Sequence, residues 1–296
     1  MKWFLVALML LVQPVAGETT AAKLFSAKRT PAPGVSMPVG TYARGCAQGN
    51  VQLPETGPTW QVMRLSRGRT WGNPVLVSYL EDISARAAQL GWRGLYIGDM
   101  GNPRGGPMAS GHASHQIGLD ADLWFLKPPR LDLSAAQREK ISSISIRTDD
   151  QLRVNENWDP SYAAVLKAAA SDPRVDRIFV AAAIKIEMCR TATAADANWL
   201  QHIRPEANHQ DHFHVRLKCP PGASYCQTQK PTVSDLSKGG SGCDDTLMYW
   251  VSDAYLHPKP VKPTNPPTPP KPRKRTAREY LMSDLPAECS GVLTAN

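Results

Sequence analysis

The chain has no C-x-x-C pair, no H-E-x-x-H helix and no G-x-S-x-G elbow. The first absence removes the usual spacing of a thiolate zinc cage. The second removes the metallopeptidase layout in which two histidines share one helical face. The third removes the serine nucleophile carried on a strand-to-helix turn. Beyond Trp3–Val12 no apolar run approaches the roughly 20 residues needed to span a bilayer. No internal repeat is present, and from 257 to 278 there is no Asp or Glu at all.

What is present begins with Lys2, the apolar run Trp3–Val12 and the small residues Val15-Ala16-Gly17. That order is the layout of a secretory signal peptide over 1–17, cut after Gly17. A membrane anchor is the competing reading, but ten apolar residues are too short for one. The expectation is export to the periplasm without stable membrane insertion. Six cysteines in an exported chain read as three disulfides, with Cys219 and Cys226 close enough to pair locally. The formal charge of +8 is concentrated: 257–278 holds seven Lys and Arg, which leaves the rest of the mature chain near neutral. Nucleic-acid binding needs a basic face on the folded domain, so that partner is not expected. A polyanionic envelope surface suits the basic segment better.

Residues 18–40 show no long period and read as an extended segment; 41–72 read as short strands and loops. Asn73-Pro74 opens a helix with an apolar stripe from Val75 to Leu90, ended by Gly91. Leu95–Ile97 is a short strand, followed by a glycine-rich loop from Gly98 to Gly111, and Gly118–Phe125 is a second strand. A helix starts at Asp159-Pro160, and Arg177–Ala181 is a buried strand. Helices follow around 183–189 and 194–203, and Asp211–Leu217 is a strand with strict alternation. Eight prolines within 257–275 predict a polyproline-like stretch. The fold class is α+β in a single domain.

Five of the seven histidines fall in two clusters. The first runs Gly111-His112-Ala113-Ser114-His115-Gln116-Ile117-Gly118-Leu119-Asp120-Ala121-Asp122, the second His209-Gln210-Asp211-His212-Phe213-His214. Successive strand residues point to opposite faces. His212, His214 and Arg216 therefore share one face and Phe213, Val215 and Leu217 the other. Asp120 and Asp122 share a face opposite Leu119, Ala121, Leu123 and Phe125. If the two strands are neighbours, His115, Asp122 and His214 converge. Two imidazoles and a carboxylate suit Zn2+ and leave a fourth position open, the catalytic rather than the structural arrangement. A lone H-x-H is commonly structural; two clusters, each with apolar residues in the opposite register, favour a metal site. Ser114 lacks the nucleophile elbow and reads as a small residue that lets the backbone approach a metal. Gly105-Gly106 reads as a flexible rim. Arg104 and Arg216 read either as carboxylate binders or as surface charges, and Trp60, Trp71, Trp92 and Trp124 as core.

His115 with Asp122, and His212-x-His214, resemble the H-x6-D plus H-x-H signature of LAS-type zinc peptidases. The longer string Gly-His-Ala-Ser-His-Gln-x-Gly-x-Asp-x-Asp resembles the narrower family of penicillin-insensitive murein endopeptidases, peptidase family M74. Arg177–Val180, Trp199 to Arg204-Pro205 and His212–Leu217 carry the same resemblance, which runs over about 40–250. It implies a LAS-type fold, with a central antiparallel sheet carrying the zinc site and helices and loops around it. It also implies a zinc peptidase domain over 41–256; composition marks off the basic proline-rich segment over 257–278, and the disulfide that the resemblance implies ties back a last segment, 279–296. The resemblance assigns the zinc to His115, Asp122 and His214, with His112 lining the site or binding metal in some states. His212, and second to it His209, would act on the water or the transition state, and Asp120 would fix a histidine tautomer. The implied pairs are Cys46–Cys289, Cys189–Cys243 and Cys219–Cys226. The implied reaction is hydrolysis of D-alanyl-meso-diaminopimelyl cross-links in peptidoglycan. Trimming of free stem peptides by a D,D-carboxypeptidase or dipeptidase, and murein binding without catalysis, are the alternatives. One departure is visible: some relatives carry an accessory Asp-x-x-His metal pair ahead of a Trp-x-Pro element, and here Asp149 and Trp158-Asp159-Pro160 match but Leu152 stands where the histidine would be.

Overall fold

The computed structural model describes residues 18–260 and 273–296, so the expected signal peptide over 1–17 and the middle of the proline-rich stretch lie outside the described residues. The described strands are β1 (Met37–Thr41), β2 (Arg44–Gln48), β3 (Val51–Gln52), β4 (Trp60–Val62), β5 (Trp71–Gly72), β6 (Leu95–Ile97), β7 (Asp120–Trp124), β8 (Val175–Val180), β9 (Ile203–Pro205) and β10 (His212–Leu217). The longer helices are preceded by α1 (Ala21–Ser26): they are α2 (Pro74–Gln89), α3 (Ala135–Lys140), α4 (Pro160–Ala170) and α5 (Ala182–Arg190), with a single turn α6 (Ala197–Leu200). A last helix spans Glu288–Thr294.

Local chemistry sets the helix starts. Asn73 accepts from the Val75 N–H at 3.0 Å and Asp159 from the Ser161 N–H at 2.8 Å, each ahead of a proline that needs no donor partner. Leu76, Tyr79, Leu80, Ile83 and Ala87 of α2, with Tyr162, Val165, Leu166 and Ala169 of α4, bury one stripe each against the apolar face of a six-stranded sheet. Its order is β4-β6-β7-β10-β8-β9. The sheet is mixed rather than wholly antiparallel: β6, β7, β10 and β8 alternate in direction, while β4 runs parallel to β6 and β9 parallel to β8. The cause is connectivity. A parallel neighbour needs a long crossover, and α2 supplies one for β6 while α5 and α6 supply one for β9.

Two other readings need correction. Residues 18–40 contain α1, not a continuous extended segment. A helix of six residues does not hold by itself. Ala21 and Phe25 are buried against Val39, Leu285, Val292 and Leu293, so distant partners carry it. Residues 194–203 are helical only to Leu200, and Ile203–Pro205 leave the helix to pair with β8. Trp60 and Trp92 join the core as read, but Trp124 packs with Met63, Tyr96 and Leu133 on the other side of the sheet.

Disulfides join Cys46 to Cys289, Cys189 to Cys243 and Cys219 to Cys226. The first closes a loop of 243 residues and clamps the chain's last helix onto β2. At the described end of the basic segment, Arg273 pairs with Glu279 and Arg275 with Asp284, so part of its charge is neutralised locally. No helix among the described residues is long and apolar enough to cross a membrane.

Candidate active site

β7 and β10 are adjacent and antiparallel, with His214 opposite Asp122, Arg216 opposite Asp120 and His212 opposite Trp124. Facing residues of such a pair point to the same side. The histidines and acids of both clusters therefore share the face turned away from α2 and α4. Phe179 of β8 faces His214 from the other flank, their ring centroids 5.3 Å apart.

His115 precedes β7 on a loop and has φ of 67°. A left-handed backbone costs a residue with a side chain about 1–3 kcal/mol and persists only where the surroundings enforce it. Here the His115 N–H donates to Asp120 Oδ2 at 2.9 Å. Arg216 grips the same carboxylate with Nε at 2.8 Å and Nη2 at 3.0 Å. Burial by itself would raise the Asp120 pKa, but the Arg216 charge and then His214 outweigh it and hold the group ionised. Asp120 thus fixes the backbone of one histidine and stands 3.3 Å from Nε2 of another, His214.

Asp122 is the hub. Its Oδ1 lies 3.1 Å from His214 Nδ1, 3.5 Å from His115 Nε2 and 3.6 Å from His212 Nε2, and its Oδ2 lies 3.4 Å from His112 Nδ1. His115 Nδ1 and Nε2, His214 Nε2 and Asp122 Oδ1 are buried without any hydrogen-bond partner. Buried polar atoms left unpaired are costly and uncommon. A cation shared among them would satisfy the group. His112, His115 and Asp122 alone offer ligand atoms within 4.8 Å of one another, a set that could hold a metal ion. The donor types, imidazole and carboxylate, are those a divalent transition metal accepts.

The remaining histidines are each oriented by an oxygen. His112 Nε2 faces Asp99 Oδ2 at 3.0 Å, which leaves Nδ1 toward Asp122. His212 Nδ1 faces Asp211 Oδ1 at 2.7 Å, which turns Nε2 to the centre. Burial pulls the His212 pKa down, but Asp122 and Asp211 outweigh it, so the group holds its proton more tightly than a free imidazole. His209 lies behind, 4.9 Å from the His212 ring, with Nδ1 2.6 Å from the Ala207 carbonyl. Burial, then the neighbouring His212 and His214, bring its pKa down to about 4, so it is neutral at pH 7 with Nε2 as an acceptor.

A cleft opens on both sides of this group. One lobe of about 230 Å³ is lined by Arg64, Arg67, Trp124 and Ser142; the other, of about 590 Å³, by Phe179, Glu206, His209 and Ser114. His112 and His212 border both lobes.

Several residues sit elsewhere than the sequence suggested. Arg104 is neither a substrate binder nor a surface charge: it is buried, donating to the carbonyls of Thr30, Val292 and Leu293. Arg216 is spent on Asp120 and Gln229. Gly105-Gly106 is no flexible rim; both are buried in left-handed backbone, and a Cβ on Gly106 would meet the Phe25 ring at 2.1 Å. Asp99, Asp211, Arg64 and Trp124 were not singled out for the site. Asp99 sits directly after a strand, between Gly98 and Met100-Gly101, and Asp211 directly precedes His212, so each had a positional signal. Arg64 had none.

Residues 38–294 match the family described as penicillin-insensitive murein endopeptidase. A penicillin-insensitive murein endopeptidase of Haemophilus influenzae is 41% identical over 228 residues, covering 77% of this chain and 76% of its own. One of Salmonella arizonae is 38% identical over 255 residues, covering 86% and 89%, and one of Salmonella typhi matches to the same extent. Identity at this level over most of both chains makes this protein a member of the penicillin-insensitive murein endopeptidase family.

Proposed function

We propose that the protein is a zinc-dependent endopeptidase of the periplasm that hydrolyses D-alanyl-meso-diaminopimelyl cross-links in peptidoglycan. The observation that carries the endopeptidase reading is the cleft with a lobe on each side of His112 and His212. A cross-link continues in both directions from its scissile amide, whereas a carboxypeptidase needs a closed end. Export and the three disulfides fit an oxidising compartment. Peptidoglycan is the partner in this reading, with no role for nucleic acid or for stable membrane insertion.

His115, Asp122 and His214 are the proposed zinc ligands. Asp122 Oδ1 and the His115 ring nitrogens are buried without a hydrogen-bond partner, and His214 turns Nδ1 to the same carboxylate, a donor set that fits the ion with a position left for water or substrate. His112 is the weaker candidate, since a quarter of its side chain is exposed, although Asp99 on Nε2 leaves its Nδ1 free toward Asp122. Bound there, zinc would supply Lewis acidity to the scissile carbonyl and to the attacking water. His212 takes the proton of the attacking water at Nε2 and delivers it to the leaving amine, while Asp211 holds the ring by Nδ1. His209, neutral and lone pair outward, orients water or substrate beside it. Asp120 keeps His115 and His214 in register.

A muropeptide digest tests the reading. Cross-linked dimers should fall to monomers. Shortened monomeric stems without loss of dimers would instead establish the carboxypeptidase alternative, and retention on sacculi without any product would establish the binding module.

A further inference from the structure

Arg64 follows β4 in a left-handed turn, φ 57° and ψ 49°, a conformation unfavourable for a residue with a side chain. The turn sends the guanidinium over the face of Trp124, 5.7 Å from a ring centroid, and Nη2 donates to Ser142 Oγ at 2.9 Å. A guanidinium carries five N–H donors. Among the described residues Arg64 has no other side-chain hydrogen bond and no ion pair, although it lines the smaller lobe of the cleft.

The acids around it are committed elsewhere. Asp99 accepts from Arg67 at 2.9 Å, Arg69 at 2.8 Å and His112 at 3.0 Å. Asp211 is taken by His212 and Asp122 by the histidine cluster. The one further acid that feels Arg64 and Arg67, Glu139, accepts from the Ser66 N–H and hydroxyl, which leaves Arg64 without an ion pair among the described residues and Arg67 beside it about half exposed. Its floor is kept open by Gly98, where a Cβ would come 2.9 Å from Trp124 Nε1. Trp124 lies directly opposite His212 across the β7–β10 pair, so the lobe begins where the chemistry ends.

We propose that this lobe is a carboxylate subsite, with Arg64 as the specificity-determining residue that binds the free carboxylate flanking the scissile amide. A planar guanidinium held by a stacking ring and one hydroxyl presents its remaining donors as a fork, which matches a carboxylate in two parallel bonds. The inference rests on the murein-endopeptidase reading above. In a D-alanyl-diaminopimelyl link the carbon bonded to the scissile nitrogen bears such a carboxylate, two bonds from that nitrogen.

The test uses two cross-linked muropeptide dimers, one with that carboxylate free and one with it amidated, and the zinc-loaded full-length mature protein. The wild type should lose about 10- to 100-fold in kcat/KM on amidation. Arg64→Gln should cleave both dimers alike, with the roughly 10- to 100-fold preference gone. Arg64→Lys, which keeps the charge but not the fork, should recover part of the preference. Melting temperature and zinc content equal to wild type exclude a folding defect in these variants. Equal cleavage of both dimers by the wild type, or a preference that survives in Arg64→Gln, would overturn the subsite. Failure of the wild type to cleave either dimer would overturn the reaction assignment, and the subsite with it.

Discussion

Strand β10 carries two molecules' worth of chemistry on its two faces. Phe213, Val215 and Leu217 are wholly buried among Ala121, Leu123 and Ile178, where nothing polar competes. His212, His214 and Arg216, one residue out of phase, face a carboxylate hub with several buried atoms unpaired. The first face supplies stability through apolar area removed from water. The second gives some stability back, because buried polar atoms without partners are unfavourable until something binds them. The two functions are separable to the extent that substitutions on one face leave the other's readout alone.

The sharpest way to break that separation is on the polar face. His214→Ala should lose bound zinc and reduce cross-link cleavage to background, while its far-ultraviolet circular dichroism stays that of the wild type. Zinc should raise the melting temperature of the wild type but not of this variant, since only a ligand of the folded state stabilises it. A fully loaded and active variant would remove His214 from the ligand set.

His212→Ala separates metal binding from proton transfer on that same face. It should retain zinc and lose about 10²–10⁴-fold in kcat, the usual worth of a positioned acid–base group. An unchanged rate at saturating substrate would exclude His212 from the mechanism.

On the apolar face Val215→Ala should cost about 2 kcal/mol of unfolding free energy in a denaturant titration, from lost burial and a small cavity. The folded fraction should keep full zinc content and kcat. A loss of zinc affinity larger than the loss of stability would show that the two faces are coupled through the strand.

The smallest expected effect is none. A β-lactam acylates a serine, and the proposed chemistry uses no serine nucleophile, so saturating β-lactam should leave the rate unchanged. Covalent labelling of Ser114 with loss of activity would replace the metal-hydrolase account.

How much of this was legible beforehand follows from the range of the interactions. The parity of His212, Phe213, His214 and Val215 was readable because strand alternation is local, and so were the Asn73 and Asp159 caps. The adjacency of β7 and β10 stood only as a condition, since the register that sets His214 opposite Asp122 depends on residues ninety positions away. α1 was missed because its six residues are held by Val39, Cys46 and the far end of the chain rather than by a period of their own. β9 was missed because three residues are too short to show a period. Arg104, read as a substrate contact or a surface charge, is spent on carbonyls some 190 residues downstream, which no local pattern encodes. Arg64 and Asp99 come to the site on loops, where spacing carries no directional information.

In the proposed mechanism one zinc, held by His115, Asp122 and His214, is required to open peptidoglycan cross-links. Metal analysis of the purified mature protein, paired with cleavage of a cross-linked muropeptide dimer during chelation and stepwise zinc return, tests it most directly. One zinc per chain is expected, with loss of dimer cleavage as the metal is withdrawn and recovery in proportion to the zinc restored. Undiminished cleavage by protein shown to hold no metal would contradict it.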